Sequence, residues 1–169
     1  MIGPKTKLVA LVAVPCLVAD QITKLVAVNA IPENTGVKVI PGLFDLTMRY
    51  NRGAAFSLFD KHPTIFFLVV AGVAMAALIY FIAQLKLTQR RQIIALAAVL
   101  GGAVGNLIDR VRLGAVIDFL LVYFRGLSWP AFNVADAAIV IGVLVFLYDN
   151  FREGSAAEPG KSADAKDAA

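Results

Sequence analysis

Residues 101–136 read GGAVGNLIDRVRLGAVIDFLLVYFRGLSWPAFNVAD, and they join the end of one strongly apolar segment to the start of another. The stretch carries Asn106, Asp109, Arg110, Asp118, Asn133 and Asp136, groups that a lipid-facing helix would not choose. On insertion scales, a charged side chain at the bilayer centre costs roughly 2.5–3.5 kcal/mol. Such residues mark either a buried polar network or a reaction site.

The rest of the chain shows why lipid is the relevant solvent. Of 169 residues, 59% are hydrophobic and 17% charged. A soluble domain is nearer about 45–50% apolar and about 25% charged. The excess is gathered in runs, the pattern of a membrane protein. A net charge of +4 with aromatics confined to apolar runs gives no support for nucleic-acid binding. Cys16 has no internal disulfide partner, and His62 is the sole histidine, so no zinc centre is expected.

A helix needs about 20 residues to cross the hydrocarbon core. The expected spans are 8–28, 64–85, 93–110 and 130–148, with an outer sheet region at 29–63, an outer connection at 111–129 and a disordered cytoplasmic tail at 152–169. Residues 1–151 are expected to form a single four-helix transmembrane catalytic domain. Lys5 and Lys7 before LVALVAVPCLVA resemble a secretory signal, but Pro15 precedes Cys16 and the apolar run continues to Val28. A retained first span fits better. The fold class is therefore a polytopic all-α membrane protein with four transmembrane helices and a small β-sheet on the outer face.

Within these segments, Asp20 and Lys24 stand at i and i+4 in the first span, in the favourable order for a helix pair. Spacing fits a neutralising pair and a contact beside a reaction site equally well. LFDLTMRYN alternates as a half-buried strand does, in a region punctuated by the turn signals Pro32, Asn34-Thr35-Gly36 and Pro41-Gly42; Asn51 and Gly53 beyond it fit a substrate contact and an ordinary turn equally well. KLTQRRQ, with Lys86, Arg90 and Arg91, reads as a cytoplasmic loop, which puts both termini inside and the acidic connection outside. The outer basic residues, among them Lys38, Arg49 and Arg52, weaken that count. Gly101 and Gly105 form a small-xxx-small pair for helix packing, and no P-loop lysine accompanies them. Asp136 is expected roughly 10 Å inside a fourth helix that starts at Pro130. Residues 111–128, bracketed by Gly114 and Gly126, are expected to include a mobile lid.

Two carboxylates a few ångströms apart share one proton near neutral pH. The ionised member can then activate water while the protonated one polarises a carbonyl. Asp118 and Asp136 are the candidates for such a pair. Salt bridges to Arg110, Arg112 or Lys24 explain the same spacing, as does a proton relay in a transporter. A presenilin-type protease would need a GxGD block, which the sequence lacks.

DQITK at 20–24, NRGAAFS at 51–57, GGAVGNLIDR at 101–110, VIDF around Asp118 and FNVADA around Asp136 occur in the order and spacing of one family. In these blocks, which span nearly all of residues 8–150, the chain resembles the bacterial lipoprotein signal peptidases (signal peptidase II). The resemblance implies an aspartic endopeptidase of the bacterial inner membrane, multi-pass, with its site near the periplasmic face. It would cut prolipoproteins just before the diacylglyceryl-modified cysteine. It puts the catalytic pair on Asp118 and Asp136, with Asp20, Lys24, Asn51, Asn106, Asp109, Arg110 and Asn133 binding substrate or supporting the pair. It implies membrane lipids as surroundings, globomycin-type cyclic peptides as inhibitors, and neither metal nor organic cofactor.

Overall fold

The computed structural model describes residues 3–52 and 64–156. Gly53 to Ser57 of the NRGAAFS block, His62 and the tail from residue 157 lie outside the described residues. The elements run α1 (Pro4–Ala30), β1 (Gly36–Ile40), β2 (Phe44–Asn51), α2 (Thr64–Gln84), α3 (Arg90–Leu113), β3 (Val116–Phe124), β4 (Leu127–Ser128) and α4 (Val134–Ala156). All four helices are long and apolar enough to cross a membrane. Three of them overshoot the expected spans because apolar runs define only the hydrocarbon depth, while helices continue into the interface.

α3 is the central helix and packs against α1, α2 and α4. Its glycines make this possible. A methyl at Gly101 would sit 2.5 Å from the Ala13 carbonyl oxygen, and one at Gly102 would sit 2.5 Å from that of Ala135. Such close backbone approach supplies the van der Waals contact that holds membrane helices together where lipid is as apolar as leucine. Outward, large apolar side chains such as Leu11, Val73, Ile141 and Leu144 are exposed, as a lipid-facing surface requires.

At one end of the bundle sits a four-stranded antiparallel sheet in the order β1-β2-β3-β4. Pro32 stops α1, and a Pro41-Gly42 turn with Gly42 at φ +76° closes the β1–β2 hairpin. Met48, Ile117 and Phe119 pack on Ala27 and Ile31 at the end of α1, so the sheet rests on the bundle.

Residues 111–128 hold the end of α3, the strand β3 and the short strand β4. Gly114, at φ +68°, caps α3 by donating its N–H to Arg110 O at 3.0 Å. Arg125 and Gly126, both at positive φ, form the two-residue β3–β4 turn. Between them, β3 pairs with β2 from Val116 to Val122. VIDFLLVYF hides this in the sequence, because a continuous apolar run has no period to read. The fourth helix also starts later than Pro130. Phe132 exchanges backbone hydrogen bonds with Leu120 at 2.8 and 2.9 Å, so residues before Asn133 extend the sheet instead.

Candidate active site

Five elements bring their polar side chains to the junction of bundle and sheet. α1 contributes Asp20, Gln21 and Lys24; α3 contributes Asn106 and Asp109; β2 brings Asn51, β3 Asp118, and the start of α4 brings Asn133 and Asp136.

The α4 start is a reciprocal cap. Asn133 Oδ1 accepts from the Asp136 N–H at 2.9 Å, and Asp136 Oδ2 accepts from the Asn133 N–H at 3.2 Å. This is the capping-box arrangement with asparagine and aspartate in the two roles. Asp136 therefore lies in the first turn of α4, and the expectation of a deeper position is corrected. Asp20 supports the same helix end: its Oδ1 accepts from the Ala135 N–H at 2.9 Å, where a negative charge also meets the positive end of the helix dipole.

Beneath this lies a buried charge cluster. The Lys24 ammonium contacts Asp20 Oδ2 at 2.8 Å, Asp109 Oδ2 at 2.7 Å and Asn106 Oδ1 at 3.0 Å. Three acceptors meet three ammonium protons, the condition under which a buried charge is tolerated. Asp109 Oδ2 also accepts from the Ile117 N–H at 3.3 Å, which ties the end of α3 to β3 one residue before Asp118.

Lys24 has a further effect through Asn106. An ammonium only donates, so the Asn106 oxygen must face it; that oxygen also accepts from Asn133 Nδ2 at 3.2 Å. The Asn106 amide nitrogen is then turned to Asp136 Oδ1, at 2.8 Å. Asn133 Nδ2 donates to Asp118 Oδ1 at 2.8 Å, and Asn51 Nδ2 to Asp118 Oδ2 at 3.0 Å. Each carboxylate is thus held by two nitrogen donors from different parts of the fold. Both line one cleft of about 490 Å³, together with Arg49, Tyr50, Trp129 and Phe132.

Asp118 is pushed up to about 6, chiefly by burial and further by the Asp136 charge, against the hydrogen bonds from Asn51 and Asn133 and the charge on Lys24. A carboxyl that is part protonated beside a second carboxylate is suited to acid–base work.

Of the nine residues singled out in the sequence, eight join this network. Arg110 stands at its edge, donating to Asn106 O at 3.4 Å with its guanidinium 5.8 Å above the Phe67 ring. Among the described residues no ion pair within 4.0 Å reaches Asp118 or Asp136, which disfavours the salt-bridge alternative. Sequence reading missed Gln21, whose Nε2 reaches Asp20 Oδ2, the Gly105 carbonyl and Asp109 Oδ1 at 3.1–3.3 Å. Its one signal was a lone amide inside an apolar span. Next to Asn106 and Arg110 opens a second cavity of about 630 Å³, walled by apolar side chains of α2, α3 and α4 such as Met75, Phe81 and Ile139.

The fold and the site define a multi-pass membrane protein with a buried carboxylate centre at one end of its helices. Residues 12–152 match the signal peptidase (SPase) II family. The chain is 45% identical over 154 residues to a lipoprotein signal peptidase of Geobacter metallireducens, covering 89% of this chain and 94% of that one. It is 43% identical over 152 residues to that of Geobacter sulfurreducens, covering 89% and 95%. Two solved structures of bacterial membrane enzymes superpose on it. One has a TM-score of 0.81 at 29% identity, over 89% of this chain and 92% of the other; the second has 0.76 at 30%, over 83% and 90%. The chain belongs to the signal peptidase II family and is a membrane peptidase.

Proposed function

We propose that this protein is an aspartic endopeptidase of the bacterial inner membrane that removes signal peptides from prolipoproteins, hydrolysing the bond just before the diacylglyceryl-modified cysteine. The observation that carries the reading is the pair Asp118 and Asp136 lining one cleft, each held by asparagine amides. One ionised and one protonated carboxyl can work in turn. The ionised member takes a proton from water as the oxygen attacks the carbonyl carbon. The protonated member gives its proton to the carbonyl oxygen, producing a neutral gem-diol. On collapse the C–N bond breaks, the nitrogen takes a proton from the protonated carboxyl, a gem-diol hydroxyl returns its proton to the other carboxylate, and a carboxylic acid and an amine leave. The two carboxyls titrate as a unit, so neither is assigned the shared proton.

Around this pair, Asn106 and Asn133 orient the carboxylates, Asn51 adds a donor from the sheet, and Asp20, Lys24 and Asp109 fix Asn106. Arg110, which lines the apolar cavity, is assigned to substrate carbonyls. The apolar cavity suits the signal helix or the acyl chains, and membrane lipid supplies the surroundings. Residues 1–151 act as one catalytic unit. With the Lys86–Arg91 loop in the cytoplasm, both termini are cytoplasmic and the site faces the periplasm. Globomycin-type cyclic peptides are expected to inhibit.

The test is cleavage by the purified protein, in detergent or lipid, of a prolipoprotein with and without diacylglycerol on its cysteine. Mass spectrometry should find a product beginning at the modified cysteine, from the lipidated form alone. Equal cleavage of the unmodified form, or a cut elsewhere, contradicts the reading.

A further inference from the structure

At the end of the bundle away from the sheet, a cavity of about 340 Å³ opens between the start of α3 and the end of α4. Thr88, Arg90 and Arg91 line it from the α2–α3 turn and the first residues of α3, and Asp149 and Arg152 line it from α4. Asp149 is buried, and its Oδ2 meets Arg91 Nε at 3.3 Å, a bridge that ties the two helices together. Among the described residues, neither Arg90 nor Arg152 has an ion pair within 4.0 Å. Arg91 and Asp149 offset each other, so the cavity keeps the permanent charges of two exposed guanidiniums. Lys5, at the same end, shows the contrast. Its ammonium is used within the fold, donating to the Ile82 and Ala83 carbonyls at 3.4 and 2.7 Å.

The surroundings of the two arginines define which anion they suit. Ile94 stands one turn deeper into the bundle than Arg90, at i+4 on the same helix face. Tyr148 and Leu144 stand one and two turns deeper than Arg152 on its face of α4. All three are exposed, so each arginine heads an apolar strip that meets lipid. A guanidinium matches phosphate oxygens with two parallel donors, and the Thr88 hydroxyl supplies a further donor at the same cavity. Free phosphate would use only the charged half of this arrangement. A phosphate that carries acyl chains would use both halves.

We propose that this cavity is a binding site for an anionic phospholipid, its phosphate held between Arg90 and Arg152 and its acyl chains lying along Ile94, Tyr148 and Leu144. The bound lipid bridges α3 and α4 beside the Arg91–Asp149 contact. It lies at the opposite end of these helices from Asn106 and Asp136, so the inference is independent of the peptidase reading.

The experiment titrates the whole protein, in a neutral detergent, with phosphatidylglycerol and separately with phosphatidylcholine. Native mass spectrometry reads bound lipid, and thermal unfolding reads the stabilisation that binding confers. Phosphatidylglycerol should bind at low occupancy number and raise the melting temperature; phosphatidylcholine should do neither at the same concentration. The double variant Arg90→Gln/Arg152→Gln should weaken phosphatidylglycerol binding about 10- to 30-fold, the scale of two basic contacts at a lipid surface. Arg90→Lys/Arg152→Lys should keep most of the affinity. Lys7→Gln/Lys86→Gln removes the same charge from the same end outside the cavity, and should change the affinity by less than about threefold. Equal weakening by the two glutamine doubles would mean a diffuse surface attraction and overturn the site. Equal binding of the two lipids would overturn it as well. Displacement of phosphatidylglycerol by millimolar inorganic phosphate, at constant ionic strength, would assign the arginines to free phosphate and overturn the lipid reading.

Discussion

Asn133 and Asp136 cap each other across the first turn of α4, side chain to backbone in both directions, at 2.9 and 3.2 Å. The cap leaves the Asn133 amide nitrogen facing Asp118, at 2.8 Å, so one residue both starts the helix and links the two carboxylates. The position of the proposed catalytic pair is thereby part of the local folding of α4.

Asn133→Ser separates these roles, because serine caps a helix but lacks the amide donor. We expect kcat/KM to fall roughly 10- to 100-fold, as for loss of a hydrogen bond to a charged group. Asn133→Ala should show a similar fall together with about 1 kcal/mol lower stability from loss of the cap. Kinetics and thermal unfolding on both variants check this. Wild-type activity in the serine variant would refute the linking role.

Burial first, and then the Asp136 charge, hold Asp118 up at about 6. Activity that needs one proton on the pair should therefore increase as pH falls from 8 toward 6, and decline again once both carboxyls are protonated. The sign for stability follows from the same shift. The folded protein keeps a proton that an unfolded aspartate has lost above about 3.9. This contribution is fully present below that value and disappears as pH rises through 6. Melting temperatures taken across pH 4 to 8 should record the decline, and Asp118→Asn should flatten it.

Glycines of the bundle should divide by location. A methyl at Gly102 meets the Ala135 carbonyl, directly before Asp136, while one at Gly72 meets nothing within 4 Å. Gly102→Ala should cost roughly 1–3 kcal/mol through overpacking and lower activity by moving the start of α4. Gly72→Ala should leave melting temperature and turnover unchanged. Equal behaviour of the two variants in thermal unfolding would contradict the packing account.

Apolar runs made the four helices legible, because lipid demands length and hydrophobicity in a row. β2 was legible too, from the alternation of LFDLTMRYN after the Pro41-Gly42 turn signal. β3 was not, since its first four residues, Val116 to Phe119, are all buried and VIDFLLVYF lacks a period. The same strand carries Asp118, so spacing alone could not bring that residue to Asp136. The match to family motifs suggested the pair; the β2–β3 register and the α4 cap supply the geometry. Asn-x-x-Asp at 133–136 held the helix start in plain view, but an apolar count that began at Pro130 read past it. Gln21 escaped because its role is set by three acceptors on α1 and α3 that only the packed bundle assembles.

The most direct measurement is turnover of a diacylglyceryl-modified prolipoprotein by Asp118→Asn and by Asp136→Asn, each shown to be folded by its melting curve. Asparagine keeps the size and removes the titrating acid. A paired-carboxyl mechanism predicts a loss of roughly 10²- to 10⁴-fold or more in both variants, with substrate still bound. Full activity in either variant would contradict it.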